Sequence, residues 1–248
     1  MISALDTVVR KRQHQARWTR DLLRADVMRG CYDTVLPSES DLMEAYSVSR
    51  SVIRSALQAL CRQNVLDRIP GTGTLVVAQR RAFRLTQIHG FGDGDQLPTY
   101  TSTDIVDVRW IRMSSFVASK LEETPGTECL RYEFVGFKHG QPIAIYTNYV
   151  RQPHASAILA TPFSTNWYQL LRDAGIDYSG SDIVIDAVPA DHGTAELLDV
   201  EPGFAVLGME RVIFDRAGKP FTFGLLRTRS DQQAFYAHVK REHSPQPT

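Results

Sequence analysis

The chain has 248 residues, enough for two domains, and its 43% hydrophobic and 23% charged residues are ordinary usage for a protein that buries sizeable cores. Its three cysteines, Cys31, Cys61 and Cys129, are scattered and form no C-x-x-C, which argues against a disulfide framework or a zinc site. No apolar run is long enough to span a membrane and Asp6 interrupts the apolar start, so neither a span nor a signal peptide is expected and a cytoplasmic location is.

Net charge is zero but unevenly held: residues 1–84 carry 14 Lys/Arg against 8 Asp/Glu, and the remainder 14 against 20. A basic segment joined to an acidic one suits a polyanion-binding module attached to a domain with another task. Residues 1–16 read as a flexible tail, whose basic run at 10–17 would add phosphate contacts only if ordered. Trp18, Leu22, Leu23, Val27 and Met28 recur at helical spacing, predicting an amphipathic helix over about Arg17–Arg29 that ends at Gly30. LPSESDLMEAY predicts a short second helix capped by Ser38, with Asp41 as a capping-box partner and Leu42, Ala45 and Tyr46 inward. After the bend SVS, Ser49 caps a third helix to about Asn64. Its buried face is Ile53, Ala56, Leu57 and Leu60, and its opposite arc carries Ser51, Arg54, Ser55, Gln58 and Arg62.

A short helix, a tight turn and a helix opening on Ser-Arg-Ser fit helix-turn-helix recognition. Arg50, Ser51 and Arg54 would reach base edges and phosphates, a guanidinium fork suiting guanine or phosphate. The β-branched runs at 65–69 and 74–77 flank Pro70-Gly71-Thr72-Gly73 and predict a hairpin, a wing with Arg68 at its base.

The run from Leu36 to Val77 resembles the GntR family of bacterial regulators, whose pattern is LPSE-x-x-LA, then VSR-x-TVR-x-AL, then a hairpin ending G-x-GT. That resemblance implies DNA contacts from Ser40, Ser49, Arg50, Ser51, Val52 and Arg54, and from Gly71 of the wing; Ser38 and the wing residues Arg68, Thr72 and Gly73 are candidate contacts beside them. Ser40 stands where many members have Arg, and Val52 where Thr is usual; Val52 is expected in the groove, against a thymine methyl. The implied partner is double-stranded operator DNA, read as an inverted repeat by a homodimer.

The second half holds an internal repeat. VASKLEETPGTECLRYEFVGFKHGQPIAIYTNYV and TAELLDVEPGFAVLGMERVIFDRAGKPFTFGLLR both run helix, Pro-Gly turn, strand, Gly-x-Pro turn, strand. Leu121/Leu198, Pro125/Pro202, Gly126/Gly203, Leu130/Leu207, Glu133/Glu210 and Pro142/Pro220 correspond. The repeat predicts an antiparallel α+β sheet with helices against it and a cleft near the pseudo-twofold. AELLDVEPG, MERVIFDRAGKPFTF and RSDQQAF are similar to the UTRA domain of HutC-type GntR regulators, a chorismate lyase-like fold. The expected organisation is a winged helix-turn-helix over 17–79, a linker over 80–86, an effector-binding and dimerising domain over 87–240, and a tail over 241–248.

Sugar-phosphate-binding UTRA domains carry Arg-x-Arg, then Glu, then Ser at positions held here by Phe134 and Gly136, Tyr146 and Asn166. Thr222 stands where Glu is frequent. With that clamp gone, the expected effector is not a sugar phosphate but a neutral or weakly charged molecule. It would pack on Phe134 and Tyr146 and hydrogen-bond to Asn166, Tyr168 and Thr222, unless these side chains simply fill core. Phe91, Gly92 and Asp93 suit a loop whose amides line the pocket, or equally a plain interdomain turn. Arg229 is the residue that would compensate for the lost charges. The histidines show no ligand spacing, so no metal, no other cofactor and no catalytic residue are expected. Two competing readings are a lyase-like enzyme, for which neither the arginine clamp nor the acid is present, and a DNA-binding scaffold that senses nothing.

Overall fold

The computed structural model describes residues 4–63, 65–77, 81–84, 100–163 and 166–237. The chain forms two compact units that divide between Arg81 and Ala82.

The first unit contains α1 (Ala4–Met28), α2 (Glu39–Ala45), α3 (Arg50–Arg62) and a hairpin of β1 (Leu66–Ile69) and β2 (Gly73–Val76). The helix α1 starts well before the expected Arg17, so residues 4–16 are helical rather than a tail. Nothing between Ala4 and Met28 breaks a helix, and Arg, Lys, Gln and Ala favour one. Gly30 follows at positive φ. Leu23 and Val27 join Leu42, Ile53, Leu57 and Leu60 in the core, but Trp18 and Leu22 stay more than half exposed, against the inward position expected of them. Ala45 is exposed as well, and of the inward set on α2 only Leu42 is fully buried.

Ser38 caps α2 reciprocally: the Asp41 N–H donates to Ser38 Oγ at 3.3 Å, and the Ser38 N–H donates to Asp41 Oδ2 at 3.2 Å. Ser49 sits at the N-cap of α3, yet its hydroxyl makes no cap bond and meets Ser51 Oγ instead, at 3.1 Å. The end of α1 is tied to α2 by Tyr46, whose hydroxyl donates to Asp26 Oδ2 at 2.6 Å.

The second unit is built on a six-stranded antiparallel sheet in the order β4-β5-β6-β9-β8-β7. These strands are β4 (Ser102–Arg112), β5 (Glu128–Lys138), β6 (Gln141–Val150), β7 (Tyr178–Pro189), β8 (Ala205–Asp215) and β9 (Pro220–Arg229). The repeat is real and extends one strand further than the sequence suggested. Each half runs strand, helix, strand, strand, with α4 (Ser115–Leu121) in one and α7 (His192–Leu198) in the other. Both helices end on a left-handed residue, Glu122 and Asp199, and both Pro-Gly turns place the glycine, Gly126 and Gly203, at positive φ. Residues 81–84, expected within the linker, form β3 (Arg81–Arg84), which pairs with β10 (Gln233–Tyr236).

Alternation along the strands gives the sheet two apolar faces. On one face α4 packs over Cys129 and Phe223, and α7 over Val135, Ile145 and Val206. The other face lies under α5 (His154–Leu159) and α6 (Trp167–Asp173), whose Ile158, Trp167, Leu170 and Leu171 meet Phe134, Tyr146, Met209 and Leu226. Tyr100 enters the same core and lies flat on the backbone of Gly136, where an added Cβ would fall 2.6 Å from its ring. Its hydroxyl shares a 2.6 Å hydrogen bond with that of Tyr146.

Two stability predictions arise from these contacts. The Tyr46 hydroxyl, hydrogen-bonded to Asp26, holds that carboxyl below its usual range. A depressed carboxylate adds stability that is complete above the unfolded pKa and lost as pH falls through the folded one. Tyr46→Phe is therefore expected to cost about 1–2 kcal/mol at neutral pH, with the gap to wild type narrowing near about pH 3, as read by urea titrations at both. Gly136→Ala is expected to cost about 1–3 kcal/mol through overpacking against Tyr100. The cost should shrink in a Tyr100→Ala background, and a double-mutant cycle in thermal unfolding measures that difference.

Candidate functional site

The first candidate surface is the outer arc of α3 with the adjoining hairpin. Burial of Ile53, Ala56, Leu57 and Leu60 turns Arg50, Arg54, Ser55, Gln58 and Arg62 outward, with Ser51 half-buried. Val52 is corrected: only 1% exposed, it belongs to the buried face and has no surface to offer a thymine methyl. A valine at that point of the helix gains more from the core than a threonine hydroxyl would. Ser38 is exposed but committed, its hydroxyl held between Asp41 Oδ2 and Ser40 Oγ, both at 2.8 Å. Ser40, Ser49 and Arg50 are exposed.

Arg54 and Arg68 are joined by a residue that the motif reading passed over. Glu39 accepts from Arg54 Nε at 2.9 Å and from Arg68 Nη2 at 3.1 Å, so one carboxylate spans α2, the recognition helix and the wing. The Arg54 hydrogen bond is the main cause holding the Glu39 carboxyl below its usual range. In exposed surroundings such pairs add little stability, and their consequence is orientation: both guanidiniums are held toward one side. The wing tip follows expectation, with Gly71 and Gly73 at positive φ and Thr72 exposed between them.

The second candidate is a cavity of about 40 Å³ under α6, near the pseudo-twofold. Asn166, Trp167 and Tyr168 form its roof, with Gln233 and Phe235 of β10 at the side. Its floor is the sheet: Tyr146 of β6, Met209 and Arg211 of β8, and Leu226 and Thr228 of β9. Tyr146, Asn166 and Tyr168 are thus brought together as expected. Burial raises the Tyr100 and Tyr146 phenols above their usual range, so both remain neutral. Asn166 spends its carbonyl oxygen on capping α6, accepting from the Gln169 N–H at 2.8 Å.

Four expected pocket residues lie elsewhere. Phe134 is completely buried, stacked 4.6 Å from the Tyr146 ring and covered by Phe163, so it is core beneath the site. Gly136 is occluded by the Tyr100 ring. Thr222 is buried on the sheet beyond the cavity walls, its hydroxyl without a hydrogen-bond partner among the described residues. Arg229 cannot replace a lost clamp: it is 5% exposed and gripped by Asp231 through Nε at 3.1 Å and Nη2 at 2.9 Å. Phe91, Gly92 and Asp93 lie outside the described residues.

Arg211 was missed by sequence reading. Its neighbours two positions away, Met209 and Ile213, are apolar and buried, so alternation alone puts an arginine on the covered face of β8. Among the described residues, no group of His, Cys, Asp and Glu is arranged to hold a metal ion.

A family model for the UTRA domain matches residues 99–234, and one for bacterial regulatory proteins of the gntR family matches residues 16–76. Over 229 residues the chain is 28% identical to a probable fructoselysine utilization operon transcriptional repressor of Escherichia coli O157:H7, covering 90% of this chain and 93% of that relative. It is 24% identical to the histidine utilization repressor of Pseudomonas putida over 177 residues, 71% of each chain. In fold it is similar to PhnF from Mycobacterium smegmatis, with a TM-score of 0.59 and 20% identity over 90% of this chain and 100% of that one. With a recognition helix and wing in one unit and a roofed cavity in the other, the chain belongs to the gntR family of bacterial regulatory proteins, in the class that carries a UTRA domain, and is an effector-controlled, DNA-binding transcriptional regulator rather than an enzyme.

Proposed function

We propose that the protein is a cytoplasmic repressor that binds an inverted-repeat operator as a homodimer and leaves it when a small molecule enters the cavity under α6. The observation that carries this reading is the polar arc of α3, with Arg50 and Arg54 exposed and a wing beside them. Relatives named as repressors support the sign of regulation. In this reading Ser40, Ser49, Ser51 and the tip of Gly71, Thr72 and Gly73 meet the sugar-phosphate backbone, while Arg50 and Arg54 reach base edges. The DNA-binding part comprises residues 17–79 with the remainder of α1, and the effector-binding part extends from β3 to β10.

A homodimer follows from surface economy, since one recognition helix and wing bury too little for tight specific binding. The edge strand β4 supports the choice of interface, leaving Ile105 55%, Val106 44% and Trp110 39% exposed along one border of the sheet.

Arg50→Ala and Arg54→Ala should each weaken operator binding by about 1–3 kcal/mol where the side chain reads a base, and each lost phosphate contact should reduce the salt slope by about one unit. Arg62→Ala should change far less. Fluorescence anisotropy on an operator selected in vitro decides this, and unaltered binding by the Arg54 variant would refute the recognition surface. Sedimentation tests the dimer: wild type should sediment as a dimer free and on DNA, whereas Ile105→Lys combined with Trp110→Lys should give monomers with weakened operator binding. A wild-type monomer with full affinity for one half-site removes the proposal.

A further inference from the structure

The cavity floor holds a charge that nothing in the described structure neutralises. Arg211 is 3% exposed, and a guanidinium keeps its proton at any physiological pH. Its recorded partners are neutral: Nη2 donates to Asn148 Oδ1 at 3.3 Å, and the guanidinium carbon lies 4.7 Å from the centre of the Tyr168 ring. The Tyr100 and Tyr146 phenols are neutral for the reason given above. By contrast the other buried arginines have carboxylates: Arg151 meets Asp215 at 3.2 Å, and Arg229 meets Asp231 at 2.9 Å. Burying an ion without a counter-charge is costly, and buried charges are as a rule paired.

The surroundings are built for this group and left incomplete. Gly224 faces Arg211 across the β8–β9 ladder, and a Cβ there would stand 3.5 Å from Nη2 and 3.0 Å from Asn148 Oδ1, so the glycine makes the room. Arg211 Nε, Asn148 Nδ2 and Trp167 Nε1 are all buried donors that lack an acceptor among the described residues. Of these, Arg211 and Trp167 line the cavity, and an unmet N–H on a buried positive charge calls for an anionic acceptor. Beside the polar Asn166, Thr228 and Gln233, the lining is apolar or aromatic, with Tyr146, Met209, Leu226 and Phe235 among its residues.

We propose that the cavity takes the carboxylate of a small, mainly apolar monoacid, with the acid on Arg211 and its body against Met209, Leu226 and Phe235, the pocket widening beyond its roughly 40 Å³ to admit that body. This rests on the reading of the cavity as the effector site and narrows the expected ligand from neutral or weakly charged to singly charged. A phosphate monoester fits less well, since it carries about −1.5 to −2 at neutral pH and the described walls offer one cation.

The test uses the full chain and matched probes: benzoate, phenylacetate and indole-3-acetate, their primary amides, and glucose 6-phosphate. Thermal shift and calorimetry read binding, with the emission of Trp167 as a local signal. At least one acid should bind while its amide and the sugar phosphate do not, and Arg211→Gln should weaken that acid roughly ten- to hundredfold, with partial recovery in Arg211→Lys. Asn148→Asp keeps the test alive if Arg211→Gln fails to fold. It sets a carboxylate beside the guanidinium, so it should raise the melting temperature of the free protein and abolish acid binding. The proposal is overturned by tighter binding of an amide or the sugar phosphate, by acid binding that survives both changes, or by no response to any acid. Operator affinity is measured alongside: acid binding that leaves it unchanged supports the anion site and refutes the cavity as the control site.

Discussion

The ladder between β6 and β9 is the contact on which the effector-binding unit depends. Ala144–Val150 pairs antiparallel with Thr222–Thr228, and these are the last strands of the two repeats. Neither repeat closes a core alone, because each presents two apolar faces and owns one helix to cover one of them. Joined along this seam, the halves share the second face, which α5 and α6 then cover. The pocket follows from the same geometry. At the seam both halves contribute their central strands, and Tyr146, Leu226 and Thr228 arrive there from opposite repeats.

In the DNA-binding unit a polar junction has a comparable organising part. Glu39 stands on the first turn of α2, a turn that the Ser38–Asp41 capping box fixes, and it reaches both Arg54 and Arg68. The three helices and the hairpin are held by the apolar core, but that core is indifferent to where long exposed side chains point. The carboxylate supplies the missing constraint at modest energy, and less ordering entropy then remains to be lost when the arginines engage a ligand.

How much of this was legible in the sequence depended on the kind of signal. The helix-turn-helix and wing could be read because periodicity, caps and glycines are local and the motif fixes their spacing. The repeat could be read because Leu121/Leu198 and Pro125/Pro202 recur in order, although the diverged edge strands β4 and β7 hid its first element. Val52 went wrong because a motif position says which residue usually stands there and not which way its side chain turns once the core is packed. Phe134 and Gly136 were assigned to the pocket by the same positional logic. Tyr100, contributed from outside the repeat, fills the space over Gly136, and no pattern within β5 and β6 could reveal that.

Arg211 shows why charge in a pocket is poorly judged by the loss of a motif. The arginine positions on β5 are occupied by Phe134 and Gly136, yet the same face of the sheet receives a guanidinium from β8, the corresponding strand of the other repeat. A pseudo-symmetric sheet offers two routes to the centre of one cavity, so a cation can leave one strand and enter from its counterpart. The consequence reaches regulation. A ligand shifts a conformational equilibrium only by its difference in affinity for the two states. In the proposed complex a carboxylate meets Arg211 while Tyr168 stands over the guanidinium, and any state that separates the two changes the charge-assisted bond on which the difference in affinity rests.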